Sequence, residues 1–282
     1  MSVSEFTNHE LQVKSLEYRR DVLRIIYDAG AGHTGGSLSC VDILNVLYNR
    51  VLNVGPDNWA DPNRDRYVQS KGHSVEALYV VLADQGFFPA DQLATLCHGG
   101  SPFVGHPTRK VPGIEMNTGA LGHGLPISVG MALAAKLDES PYRVFTLLGD
   151  GELAEGSNWE GAMCAAHYEL DNLTAIVDCN TLQITGPTRD VCSNDPLDEK
   201  FASFGWRVVE VNGHSMEALA DALQSPTPGQ PTCVIAHTTK GRGVSFMENV
   251  VAWHHGVPSQ EEYEKAIEEL ENQLHELKGV AT

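Results

Sequence analysis

Apolar residues at Leu11, Leu16, Val22, Leu23 and Ile26 recur at helical spacing, which predicts an amphipathic helix over 8–29. "GAGHTGG" at 30–36 holds four glycines in seven residues and reads as a loop. Val41, Leu44, Leu47 and Tyr48 then predict a helix over Ser39–Tyr48, followed by a turn at "DPNRDR", a short strand "YVQS" from Tyr67 and a helix from Val75. The segment 97–124 is loop-rich, and "PISVGMALAAKL" from Pro126 reads as a closely packed helix with proline in its first turn. From there the period alternates. Strands are expected at 143–148, 173–178, 206–211 and 232–237, helices at 155–168 and 215–224, and a polar loop runs up to Asp198. Strands separated by helices predict an α/β fold: a doubly wound, mostly parallel sheet with helices on both faces. A charged helix over 259–278 carries Tyr263, Ile267, Leu270 and Leu274 on one face. With no internal repeat or low-complexity linker, the simplest division is one domain over 1–258 with 259–282 as its helical tail.

Ligands of such sheets bind beyond the carboxyl ends of the strands. Those ends are Gly149–Asp150–Gly151, Asp178–Cys179–Asn180 and His237 to Lys240. A buried strand "VFTLL" has no need of a charge at its tip. Glycines on either side of Asp150 let backbone amides approach a phosphate closely, and the helix that follows turns free N–H groups toward the same place. An aspartate there repels a bare diphosphate and favours one that carries a divalent cation. Mg²⁺ prefers one or two carboxylates together with phosphate oxygens and water. Asn180 lies thirty residues on, one βαβ unit away, and offers a neutral oxygen ligand; the backbone carbonyl of Leu182 is a candidate third. The plainer alternative is a helix cap at Asp150 and an Asx-turn at Asn180. Neither GxGxxG nor GxxxxGK[ST] is present, which argues against a nucleotide.

Composition narrows the partners. The net charge of −18 over 282 residues disfavours nucleic acid and anionic membrane. The apolar runs fall far short of the roughly 20 residues of a membrane span, and the N-terminus is polar, so a soluble, cytoplasmic protein is expected. Cys40, Cys97, Cys164, Cys179, Cys192 and Cys233 form no CxxC pair and are read as reduced core thiols. Seven of the twelve histidines adjoin a glycine (His33, His73, His98, His106, His123, His214 and His255), where composition alone gives roughly two. Imidazoles in such loops suit a pocket that needs neutral donors, acceptors and proton carriers. No HExxH pair appears, so zinc is disfavoured. His9, His167 and His275 fall within predicted helices and His214 at a helix start; none is assigned a role.

Gly149–Asp150–Gly151 followed by Asn180 resembles the thiamine-diphosphate-binding motif, in which Asp, Asn and a backbone carbonyl hold the metal on the diphosphate. The blocks "GHTGGSLS" at 32–39, "SKGHS" at 70–74, "GHP" at 105–107, "TGALGHG" at 118–124, "GDGELAEG" at 149–156, "NTLQITG" at 180–186, "TKGRG" at 239–243 and "WHHGVP" at 253–258 resemble transketolase, in order, along nearly the whole chain. The resemblance implies the diphosphate-binding domain of the thiamine-diphosphate fold. It covers only the N-terminal third of a full transketolase and lacks the pyrimidine-binding middle domain and the C-terminal domain. It therefore implies the N-terminal subunit of a split enzyme that moves a two-carbon ketol unit between sugar phosphates. A second subunit would supply the missing domains, including the glutamate that acts on the aminopyrimidine, and a dimer of heterodimers is the expected assembly.

The same resemblance implies the roles of individual residues. Asp150, Asn180 and the Leu182 carbonyl would bind Mg²⁺, with Ca²⁺ or Mn²⁺ as substitutes. Gly151 and His73 would line the diphosphate of thiamine diphosphate, with Lys71 close by. Gly119 and Leu121 would contact its rings, and Gln183 and Lys240 would lie near it. His33, His106 and His255 would face substrate hydroxyls and carbonyl; His254, one residue away, is the alternative to His255. Glu155 resembles a carboxylate that links paired active sites across the subunit interface. His123 stands where many relatives carry glutamine, and its role is open, as is the preferred sugar. Two other functions share parts of the pattern. One is the α subunit of a thiamine-dependent 2-oxoacid dehydrogenase, which does not need the sugar-facing histidines. The other is a non-catalytic paralogue, which would be free to lose Asp150 and Asn180.

Overall fold

The structure is a computed structural model that describes residues 6–279; residues 1–5 and 280–282 of the predicted division lie outside the described residues. Helix α1 (Asn8–Ala29) opens on a reciprocal capping box between Thr7 and Glu10 and stops at Gly30 in the left-handed region. Helices α2 (Thr34–Val46) and α3 (Val75–Asp84) flank strand β1 (Arg66–Gln69) in sequence, and α4 (Gly124–Leu137) leads into β2 (Val144–Gly149). Next come α5 (Gly156–His167), β3 (Leu173–Cys179), a small hairpin of β4 (Leu182–Gln183) and β5 (Gly186–Pro187), and the short α6 (Thr188–Val191) and α7 (Leu197–Ser203). The order ends with β6 (Arg207–Asn212), α8 (Met216–Gln224), β7 (Thr232–His237) and α9 (Gln260–Gly279).

Five strands form one sheet in the order β1-β2-β3-β7-β6, and every pairing in it is parallel. The alternation of side chains divides the core in two. Phe145, Leu147, Ile176, Val234 and Ala236 face a layer built from α1, α2, α3, α8 and α9. Val144, Leu148, Leu173, Ala175, Val177, Cys233 and Ile235 face a second layer built from α4, α5 and α7. Both sheet faces are therefore covered, as a parallel sheet requires. The tail helix α9 lies on α1: Leu270 and Leu274 are buried, and Tyr263 stacks on Tyr27 with ring centroids 4.3 Å apart.

Three expectations change. The loop predicted to run to Gly36 ends at His33, because α2 begins at Thr34 and carries Gly35 and Gly36 in its first turn. Those glycines allow close approach: a Cβ at Gly35 would sit 2.9 Å from the Trp253 carbonyl, and one at Gly36 would touch the His73 ring at 3.4 Å. The polar segment up to Asp198, expected to be a loop, holds the β4–β5 hairpin and α6, and α7 follows where no element was expected; α7 buries only Leu197 and Phe201 and so gives too weak a periodicity to read. Cys97 and Cys192 are exposed and Cys164 and Cys179 half-buried, which leaves Cys40 and Cys233 as core thiols; the others lie in loops (Cys97, Cys192), at the end of β3 (Cys179) or within α5 (Cys164), where an apolar neighbour in sequence says little about depth. Among the described residues no helix is long and apolar enough to cross a membrane.

Candidate active site

The carboxyl ends of four adjacent strands open on one cavity of about 310 Å³, within the range of small-molecule sites. β1 runs into Ser70 and Lys71, β2 into Asp150, β3 into Asn180, and β7 into Thr238 to Lys240. Beneath the cavity lies a buried ion pair. The Lys71 ammonium meets the Asp178 carboxylate and also donates to the Gly36 carbonyl at 3.1 Å. Asp178 accepts in addition from the hydroxyls of Ser39, at 2.6 Å, and Thr238. Burial works against both charges; their attraction overrides it, holding Asp178 below and Lys71 above the ordinary range. Lys71, expected close to the diphosphate, thus lines the cavity while its ammonium is committed to Asp178.

On one side of the cavity stand oxygen donors. Asp150 is only 5% exposed and accepts from the backbone N–H groups of Gly151 and Thr181. Burial, reinforced by the Asp178 charge, pushes its carboxyl up to about 6. The Asn180 side-chain oxygen accepts from Leu182 N–H at 3.2 Å, which turns the chain so that Leu182 and Gln183 line the cavity. The Leu182 carbonyl accepts from the Lys240 ammonium at 2.9 Å, and the same ammonium reaches His254 Nδ1 at 2.8 Å. Burial brings Lys240 down to about 8, aided by the nearby Lys71 charge.

Facing these oxygens is a group of imidazoles. The His33 ring lies 4.5 Å from that of His255, 5.4 Å from His73, 5.8 Å from His254 and 6.0 Å from His106, centroid to centroid. Burial lowers His33 to about 4, with His255, His106, Lys240 and Lys71 adding to the effect, and it lowers His254 to about 3. His73 is held well below its usual value by burial and then Lys71. The His33, His73 and His254 rings are therefore neutral at pH 7, and among the described residues His33 Nδ1 is buried without a hydrogen-bond partner. A lowered histidine contributes stability that is complete above its unfolded value near 6.5 and is lost as pH falls toward the folded value. Between pH 7 and pH 5, His33→Asn should therefore lose less melting temperature than the wild type. Calorimetric melts at both pH values test this; parallel losses in the two proteins would refute it.

Of the remaining expected residues, Gly119, Leu121 and Gly151 line the cavity. His254 lines it as well, and His255 packs edge-on against His33 while staying exposed to solvent. Glu155 is exposed and does not line the cavity. His123 is also exposed, its Nδ1 within 3.0 Å of the Leu121 carbonyl. Three polar residues carry no signal of their place in the sequence. Glu152, 3% exposed, gathers Ser70 Oγ, Gly122 N–H at 2.9 Å and Gly149 N–H at 3.0 Å, and so ties three loops of the site together. In sequence it differs from Glu155 only in position, and depth alone tells them apart. His214, a plain helix-start residue by its position in the chain, bridges Asp42 at 2.6 Å and the Thr239 N–H at 2.8 Å, and so steadies the approach to Lys240. The third, Glu76, lies under His33.

The donors present fit a divalent cation on a diphosphate. Asp150 is a buried carboxylate to which, among the described residues, only backbone N–H groups donate. The Leu182 carbonyl already faces a positive charge, and Asn180 adds a neutral hard oxygen. At Gly151 a Cβ would come within 2.9 Å of Gln183 Oε1, so the backbone is bare where a phosphate would approach.

The family described as transketolase, thiamine diphosphate binding domain, matches residues 14–274. Over 269 residues the chain is 48% identical to an apulose-4-phosphate transketolase subunit of Phocaeicola vulgatus, covering 95% of this chain and 96% of that one. It is 40% identical over 267 residues to the 6-deoxy-6-sulfo-D-fructose transketolase subunit SqwG of a Clostridium species, covering 94% of this chain and 97% of that one. The crystal structure of transketolase from Campylobacter jejuni superimposes with a TM-score of 0.86 at 29% identity; it is matched by 93% of this chain, which spans 43% of that longer one.

Proposed function

Because this chain belongs to the transketolase family, as an N-terminal subunit with a thiamine-diphosphate-binding domain, we propose that it anchors metal-bound thiamine diphosphate for two-carbon ketol transfer between sugar phosphates. The observation that carries this reading is the convergence of Asp150, Asn180 and the Leu182 carbonyl opposite the neutral His33, His73 and His254 across one cavity. When bound, the cofactor supplies an electron sink for breaking and making a carbon–carbon bond. The chain's own part is to hold and orient. Asp150, Asn180 and Leu182 take Mg²⁺, with Ca²⁺ or Mn²⁺ as substitutes, and His73 and the Gly151 amide meet the diphosphate. Gly119 and Leu121 support the rings, and Lys240 and Gln183 close the site beside them. His33, His106 and the His254–His255 pair present ring nitrogens to hydroxyl and carbonyl groups of the sugar, where they accept and return protons. Glu155, which is exposed, would meet a second subunit.

The chain acts with a partner that carries the pyrimidine-binding and C-terminal domains, in a cytoplasmic dimer of heterodimers. The decisive experiment mixes it with the product of a neighbouring reading frame that encodes those domains, thiamine diphosphate and Mg²⁺. Ketol transfer should appear only when both chains are present. Donors to compare are xylulose 5-phosphate, apulose 4-phosphate and 6-deoxy-6-sulfofructose, the last two taken from the names of the Phocaeicola and Clostridium relatives. No transfer above background from any of them, with the cofactor bound, would remove the reading. The sugar-facing histidines favour transketolase over a 2-oxoacid dehydrogenase, whose substrates lack the polyol chain.

A further inference from the structure

Glu76 is a fully buried carboxylate, 0% exposed, that none of the roles above employs. It stands in the first turn of α3, yet its oxygens reach across to α2. Oε2 accepts from the Ser37 hydroxyl at 2.7 Å, and Oε1 accepts from the His33 backbone N–H at 3.3 Å. Gly32 presses on the same group: at φ +155° it leaves no room for a side chain, since a Cβ there would lie 3.0 Å from Oε1 and 2.7 Å from Ile26 Cγ1. Among the described residues no cationic side chain pairs with it, and burial pushes its carboxyl up to about 7. Burying an unpaired carboxyl is costly, and an apolar residue would serve packing better.

What the carboxyl does fix is the entry into α2. His33 is the N-cap of that helix, with non-helical backbone (φ −115°, ψ 74°) and no side-chain capping bond of its own. Its N–H is held from below by Glu76, and Ser37, one turn on, is held by the other oxygen of the same group. The His33 ring is the one from which His73, His106, His254 and His255 all lie within 6.0 Å. We infer that Glu76 is a positioning residue for ketol transfer: by clamping the His33 N–H and the Ser37 hydroxyl it keeps the His33 ring, with its buried Nδ1, at the centre of the substrate-facing imidazoles. This rests on the transketolase reading of the cavity.

Glu76→Ala and Glu76→Gln, each reconstituted with the partner subunit, thiamine diphosphate and Mg²⁺, separate positioning from packing. Displacing a substrate-facing group by about 1 Å costs up to about 10²-fold in rate, so Glu76→Ala should lower kcat by about 10- to 100-fold while the cofactor Kd stays within about twofold. Glu76→Gln keeps an oxygen for the His33 N–H and an amide for Ser37, and should stay within about threefold of wild type. If kcat per cofactor-loaded site is unchanged in Glu76→Ala, or if alanine and glutamine lose rate and cofactor affinity alike, the assignment is wrong. Should Glu76→Ala fail to fold, Ser37→Ala removes one arm of the clamp. Histidine-selective NMR of the full chain alone then reads the ring directly. His33 signals should move in Ser37→Ala while those of His214, in the separate Asp42 network, stay; unmoved His33 signals overturn the proposal. If the wild-type pair transfers no ketol at all, the functional reading fails instead, and the NMR measurement still decides whether Glu76 places His33.

Discussion

Asp150→Ala is expected to abolish Mg²⁺-dependent binding of thiamine diphosphate. Asp150 is the carboxylate among the three proposed metal ligands, the others being the neutral oxygens of Asn180 and Leu182. Loss of partners that merely orient metal ligands already costs 10- to 100-fold in affinity, so loss of the charged ligand itself should exceed about 100-fold. Titration calorimetry with saturating Mg²⁺ and with EDTA measures the effect: the wild type should bind only with metal, and the variant in neither condition. Because Asp150 also accepts from Gly151 and Thr181 N–H, Asp150→Asn serves as a control. It retains an acceptor for the loop but lacks the charge, and should lose metal-dependent binding while melting close to the wild type. Unchanged, metal-dependent affinity in either variant would remove Asp150 from the metal site.

Lys71→Met should produce the largest loss of stability. The ammonium is 1% exposed and its partner Asp178 is 0% exposed. Methionine preserves most of the volume but strands the carboxylate, which among the described residues keeps only the Ser39 and Thr238 hydroxyls. Removing one member of a buried pair costs about 3–5 kcal/mol, because the survivor is left charged and desolvated. For a chain of this size that corresponds to a fall in Tm on the order of 10 °C. The double variant Lys71→Met/Asp178→Asn removes both charges and should recover much of the loss. A single-variant shift below about 2 °C, or no recovery in the double variant, would show that the pair is not what holds β1, β3 and α2 together beneath the site.

How far the sequence carries depends on the range of the interaction involved. The five strand segments announce themselves by short apolar runs between turns, and α1, α3, α4, α5, α8 and α9 by spacing within one or two turns, so each is legible from its own residues. Asp150 and Asn180 stand out as a carboxylate and an amide at the tips of buried strands one βαβ unit apart, although each also fills the plainer local role, Asp150 capping the Gly151 N–H and Asn180 turning onto the Leu182 N–H. Where a feature depends on distant neighbours, local pattern is silent. Gly35 and Gly36 look like loop glycines until Trp253 and His73 arrive beside them. The helix α7 rests on two apolar side chains that pack against residues remote in sequence.

The order of the main-sheet strands and of the long helices, the acidic balance and the spacing from Asp150 to Asn180 are determined by sequence alone, because periodicity, charge and the length of a βαβ unit are properties of contiguous residues. Depth is decided only by the tertiary structure. It separates buried Glu152 from exposed Glu155 and commits Lys71 to Asp178. It brings His33 from before α2, His73 from before α3 and His254 from beyond β7 within reach of one another, and it sets Glu76 beneath His33. Burial and cross-chain hydrogen bonds set whether a carboxylate is a clamp or a surface charge, and both exist only once strand ends far apart in sequence meet at one edge of the sheet.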